Sequence, residues 1–134
     1  MAWQFTSAQP IYRQLMDVLE MRIFRGEYAS GAQLPSVRDL ACEAAVNPNT
    51  MQRALSELER KGLVNTQRTA GRTVTEDAEA VGLARRDKAG LLAREYYGQI
   101  RQIGLSGDDA LRLVSEQRAQ DKEETNGSST ENAG

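Results

Sequence analysis

Apolar residues in the first half of the chain recur at intervals of three and four, the spacing that places side chains on one face of a helix. Ile11, Leu15, Val18, Leu19 and Ile23 share such a face and predict a first helix over 10–25. Pro10 suits its first position, where a missing N–H costs nothing, and Gly26 supplies a left-handed stop. The stretch EYASGAQLP that follows reads as a loop. A second helix is predicted from Ser36, whose hydroxyl can cap the Asp39 amide while the Asp39 carboxylate reaches back. Val37, Leu40, Ala41 and Ala44 form its buried face. Asn47 is a strong N-cap and Pro48 a favoured first residue for a third helix, which runs to about Lys61 and buries Met51, Leu55 and Leu58.

Beyond Gly62 the period changes. LVNTQR and RTVT enrich strand formers around a small-residue turn and predict a short hairpin. Three helices of which two meet at a tight turn, followed by a hairpin, make a winged helix-turn-helix. The lead-in, residues 1–9, carries no charge and is expected to form a short strand packed by Trp3 and Phe5.

Helical composition returns from Glu76 to Ile103, with Leu92, Tyr96, Ile100 and Ile103 at helical spacing. These are the candidate dimerisation residues. Gly82, Gly90 and Gly98 lie within this stretch, so either the helix breaks or another backbone packs close. Gly104 is a natural stop, and Ser106 with Asp109 opens a last helix containing Ala110, Leu111 and Val114. Residues 120–134 have no large apolar side chain and are expected to be disordered. The predicted division is a winged helix-turn-helix domain over 1–75, a helical dimerisation region over 76–119 and a tail over 120–134. The predicted fold class is therefore mainly α with one small hairpin.

Composition narrows the chemistry. Of 134 residues none is histidine and one is cysteine, Cys42. A zinc site of the usual ligands and a histidine-based nucleophile pair are thereby excluded. No phosphate-binding glycine loop appears, and no cofactor is called for, so an enzyme is not expected. No apolar run approaches the ~20 residues of a membrane span. A cytoplasmic protein with Cys42 as a small core residue is the expectation. The net charge of −2 is unevenly spread: residues 10–75 hold nine Lys/Arg against seven Asp/Glu, and residues 76–134 hold eight against twelve. The front half is thus mildly basic, as a phosphate-binding face requires locally.

Three runs carry a family resemblance: PIYRQL, IFRGEYASGAQLPSVRDLA and VNPNTMQRALSELERKGLV. Together they resemble the winged helix-turn-helix of the GntR family of bacterial regulators over Pro10–Val74, and the short tail resembles its YtrA-like subfamily. The resemblance implies a homodimeric repressor on a palindromic operator in double-stranded DNA, and it implies a DNA-contacting role for Arg38.

Chemistry points to the same site. With Met51, Leu55 and Leu58 turned inward, Asn49, Thr50, Gln52 and Arg53 occupy the outer side at the start of the third helix, the part of this motif that enters a major groove. Asn and Gln match adenine, Arg matches guanine, and a threonine methyl meets that of thymine. Asn47 joins them chiefly as a cap. In the wing, Arg68 and Arg72 are expected at backbone phosphate or the minor groove, with Gly71 supplying the turn. The family's wing carries a second glycine and an aromatic where this chain has Thr69-Ala70 and Thr73. A winged helix can also serve as a protein-interaction module, which is the competing reading. The acidic back half is too short to enclose a pocket for a small-molecule effector alone, and none is identified.

Overall fold

The computed structural model describes residues 3–133. Its elements are α1 (Ile11–Phe24), α2 (Val37–Ala44), α3 (Pro48–Arg60), β1 (Val64–Gln67), β2 (Gly71–Val74), α4 (Ala78–Gln102) and α5 (Gly107–Ala133). They group into two compact units, one ending at Arg86 and one beginning at Asp87.

In the first unit α1, α2 and α3 close around Leu15, Leu19, Leu40, Met51, Leu55 and Leu58, and the base of the hairpin adds Leu63 and Val64. Each such side chain contributes roughly 1.5–3 kcal/mol on burial, which fixes the helices against one another. The α1 face is rotated from the expected one. Met16 and Glu20 are buried, whereas Ile11 is exposed and Val18 only half-buried. The buried Glu20 carboxylate has a partner that lies far off in sequence: Lys61 Nζ sits 2.6 Å from its Oε1. A helix packed on two sides buries a wider arc than a single periodic stripe marks.

The local signals form largely as read. Ser36 Oγ accepts from the Asp39 amide at 3.1 Å. The return bond from the Asp39 carboxylate does not form, so this cap is half a box. Asn47 Oδ1 accepts from the Asn49 amide at 2.8 Å, with Pro48 in the first turn. Between α2 and α3 the chain turns at Ala45, which holds a left-handed φ of 57°.

The hairpin pairs Val64 with Val74 through to Gln67 with Gly71, leaving a three-residue loop over 68–70. Gly71, at φ 68°, takes the left-handed position that such loops require. A third segment laces onto β2. The Leu34 amide donates to the Arg72 carbonyl at 2.8 Å, the Val74 amide to the Ala32 carbonyl at 2.9 Å, and Gln33 bridges Thr73.

From Trp3 onward the lead-in is not a strand. Trp3 and Phe5 do pack on the core, but the backbone there has no strand partner. The Gln14 side chain holds it instead, donating to the Thr6 and Gln9 carbonyls and accepting from the Thr6 amide, each at 2.8 Å. Cys42 is exposed rather than core. It falls on the outer side of α2, between the buried Ala41 and Ala44.

α4 starts within the first unit, where Arg85 donates to the Phe24 carbonyl at 2.6 Å and so caps the end of α1. The helix runs unbroken through Gly82, Gly90 and Gly98, and a Cβ at any of the three would meet nothing within 4 Å. In the second unit, Tyr96 Oη donates to the Ala110 carbonyl at 2.8 Å. Ser106 and Asp109 form a complete reciprocal cap at the start of α5. That helix continues to Ala133, across the stretch expected to be disordered. Gln120, Lys122, Glu123 and Glu124 are good helix formers, which extends the helix beyond its last large apolar residue.

Candidate nucleic-acid interface

The start of α3 presents Asn49, Gln52 and Arg53 exposed and Thr50 half-exposed, because Met51, Ala54 and Leu55 take the core side. Among the described residues, the Asn49, Thr50 and Gln52 side chains make no hydrogen bond within the chain. Asn47 spends its side-chain oxygen on the cap and keeps its amide NH2 outward-capable.

Arg38 is exposed on α2 and takes part in no ion pair among the described residues. Glu43, one carboxylate on the same helix, is engaged elsewhere: Arg22 reaches it at 3.2 Å. Arg22 also stacks over Trp3 (4.8 Å) and Tyr28 (5.6 Å) and donates to the Tyr28 hydroxyl at 2.6 Å. Burial works against the Arg22 charge, but the bonds to Glu43 and Tyr28 outweigh it and hold its pKa above the ordinary arginine value. The Arg22 cluster is thus closed on itself, and it leaves Arg38 uncommitted.

The two wing arginines differ. Arg68 lies exposed in the hairpin loop. Arg72 is half-buried, and among the described residues its enclosed Nε has no hydrogen-bond partner. Arg53 is also held, by a residue that pattern reading passed over. Its guanidinium carbon stands 3.8 Å from the centroid of the Tyr12 ring. Tyr12 belongs to the PIYRQL run, but helical spacing marks it only as an off-face residue of α1. Its contact with α3 is a tertiary fact with no local signature.

Of the candidate dimerisation residues, Leu92 is 54% and Ile103 73% exposed, whereas Ile100 is half-buried and Tyr96 is tied to Ala110. Among the described residues no cluster could hold a metal, and no helix is long and apolar enough to cross a membrane. An open groove of about 370 Å³ lies in the first unit, lined by Phe24, Tyr28, Val74, Val81 and Arg85 among others.

The family model for bacterial regulatory proteins of the gntR family matches residues 11–74. The HTH-type transcriptional regulator YhcF of Bacillus subtilis is 39% identical over 111 residues, which are 83% of this chain and 92% of that protein. The chain belongs to the GntR family. Its members are transcriptional regulators rather than enzymes, and the winged helix described above is the family's DNA-binding domain. The HTH-type transcriptional repressor YtrA of B. subtilis is 40% identical over 73 residues, 54% of this chain and 56% of that protein. A solved GntR family regulator from Listeria monocytogenes superposes with a TM-score of 0.77 at 32% identity, covering 84% of this chain and 98% of that one.

Proposed function

We propose that this GntR-family chain is a homodimeric, sequence-specific repressor that places the start of α3 in the major groove of each half of a palindromic operator. The observation that carries the reading is the set of side chains left without internal partners on the helix-turn-helix. Arg38, Asn49, Thr50 and Gln52 are donors and acceptors of the kinds that match phosphate and base edges, and nothing within the described chain consumes them. Arg68, at the hairpin tip, supports a wing contact to the flanking backbone, and Gly71 sets the turn that presents it. Arg72 enters this scheme less directly, since part of its guanidinium is enclosed. Dimerisation is supported by the apolar surface of the second unit, where Leu92, Ile103, Leu111 and Val114 are each more than half exposed.

Selection of bound sequences from random duplex DNA tests this. The expected result is two inverted half-sites at a fixed spacing. Gln52→Ala should relax one base position in each half-site, losing about 1–3 kcal/mol of discrimination there. Arg38→Ala should weaken all sequences alike and flatten the salt dependence. If a variant lacking Arg38, Asn49 and Gln52 still selects the native operator, the assignment is wrong. Salt-independent indifference to duplex DNA, with a stoichiometric protein partner, would favour the interaction-module reading.

A further inference from the structure

Two guanidinium groups flank one phenol at the start of α1. Arg53, from α3, lies 3.8 Å from the Tyr12 ring centroid, and Arg13 lies 5.9 Å from the same centroid. Arg13 Nε also donates to the Tyr12 hydroxyl at 3.3 Å. Among the described residues, neither cation takes part in an ion pair. The Arg22 cluster of the same domain supplies the comparison. It too sets an arginine over aromatic rings, but there Glu43 neutralises the charge. At Tyr12 the fold brings two positive groups to one ring, and among the described residues no carboxylate pairs with either. Stacking occupies the face of a guanidinium and leaves its N–H edge free, the edge that forks onto phosphate oxygens.

We propose that Tyr12, Arg13 and Arg53 form a clamp for one backbone phosphate of the operator, with Tyr12 as the positioning residue that sets the Arg53 side chain. This rests on the DNA-binding reading above and changes the role of Arg53 within it. A guanidinium held on α1 is fixed beside the start of that helix, so Arg53 contributes affinity and register, and base discrimination falls to Asn49, Thr50 and Gln52. The clamp also answers a difficulty of composition. A chain of net charge −2 needs its phosphate contacts concentrated, and pairing two cations at one ring concentrates them.

The test is binding of the full-length protein to its selected operator and to a scrambled duplex, across a salt series. Arg53→Ala and Arg13→Ala should each weaken both duplexes by the same factor, and a lost phosphate contact lowers the salt slope by about 0.9 per subunit. Tyr12→Leu should weaken both by about two- to fivefold per site, the range of an exposed cation–π contact, and by less once Arg53 is alanine, when only the Arg13 bond to the Tyr12 hydroxyl remains to be lost. Tyr12→Phe keeps the ring and should retain the Arg53 contribution. Arg13 is exposed, so its variant reads the clamp even if Tyr12→Leu fails to fold. The proposal is overturned if Arg53→Ala changes the preferred base with the salt slope intact, or if the Tyr12 and Arg53 losses are additive. Should the wild-type protein show no salt-dependent duplex binding, the DNA reading itself falls, and the clamp with it. Loss of base preference in Gln52→Ala alongside a null result at Arg53 sinks the clamp alone.

Discussion

Ala45 carries the turn of the helix-turn-helix at φ 57°, a conformation that crowds the Cβ of an L-residue by roughly 1–2 kcal/mol. It persists because α2 and α3 are both locked by core contacts, and only Val46 separates it from the Asn47 cap. Ala45→Gly removes the crowding at the cost of a more flexible unfolded chain, so a net stabilisation of about 1 kcal/mol is expected in urea denaturation. An unchanged or lower midpoint would mean that the turn relaxes in solution. The exposed side chains at the start of α3 were legible at this scale because their placement needs only the core stripe of that helix. Tyr12 was not, and neither were the Glu20–Lys61 and Arg22–Glu43 pairs. Each joins residues more than twenty positions apart, or on different helices, where no periodicity leaves a mark.

Elements were read well where their ends carry caps. Asn47-Pro48, Ser36 and Ser106 mark helix starts within a residue of the observed bounds, since a cap is a local hydrogen bond and needs no tertiary partner. The glycines of α4 misled for the opposite reason. Gly82, Gly90 and Gly98 weaken a helix without forbidding it, and propensity alone does not decide a break. The lead-in was mistaken because an uncharged run with aromatics suits either a strand or an irregular segment pinned by a side chain such as Gln14. The cap of α5 makes a prediction of its own. Bonds from the Ser106 backbone and hydroxyl groups, aided by Arg112, hold the Asp109 carboxyl below its ordinary value of 3.8. Its contribution to the α5 start is therefore complete above the unfolded carboxylate range and is lost as pH falls through the lowered folded value. Amide exchange at Ser106 should accelerate in that acid window, and Asp109→Asn should abolish the pH dependence.

At the scale of the molecule, the second unit buries little. No α4 residue is buried, and Ala110 is the buried hydrophobic residue of α5 among those described. Helices with so little covered surface are marginal alone, so their order is expected to come from a second copy. Thermal unfolding should then depend on protein concentration, and Leu92→Lys with Ile103→Lys should remove that dependence and lower the midpoint. Truncation after Gln120 should leave the midpoint unchanged, since the removed segment offers no large apolar side chain to a core. A lower midpoint after truncation would give that segment a structural role.

The lacing of residues 31–34 onto β2 has a consequence for how the domain opens. Backbone hydrogen bonds, from the Val74 amide to the Ala32 carbonyl and from the Leu34 amide to the Arg72 carbonyl, close a loop of chain that contains α2, α3 and β1. The helix-turn-helix is thus a bight of chain whose neck is sealed by the wing. Fraying at the hairpin base releases both ends of that bight together, while fraying at the hairpin tip releases neither. Protease cleavage within 68–70 would therefore leave the helices clasped, whereas a single proline at Val74, which removes the amide donated to Ala32, would unseal the neck and expose those helices to cooperative unfolding.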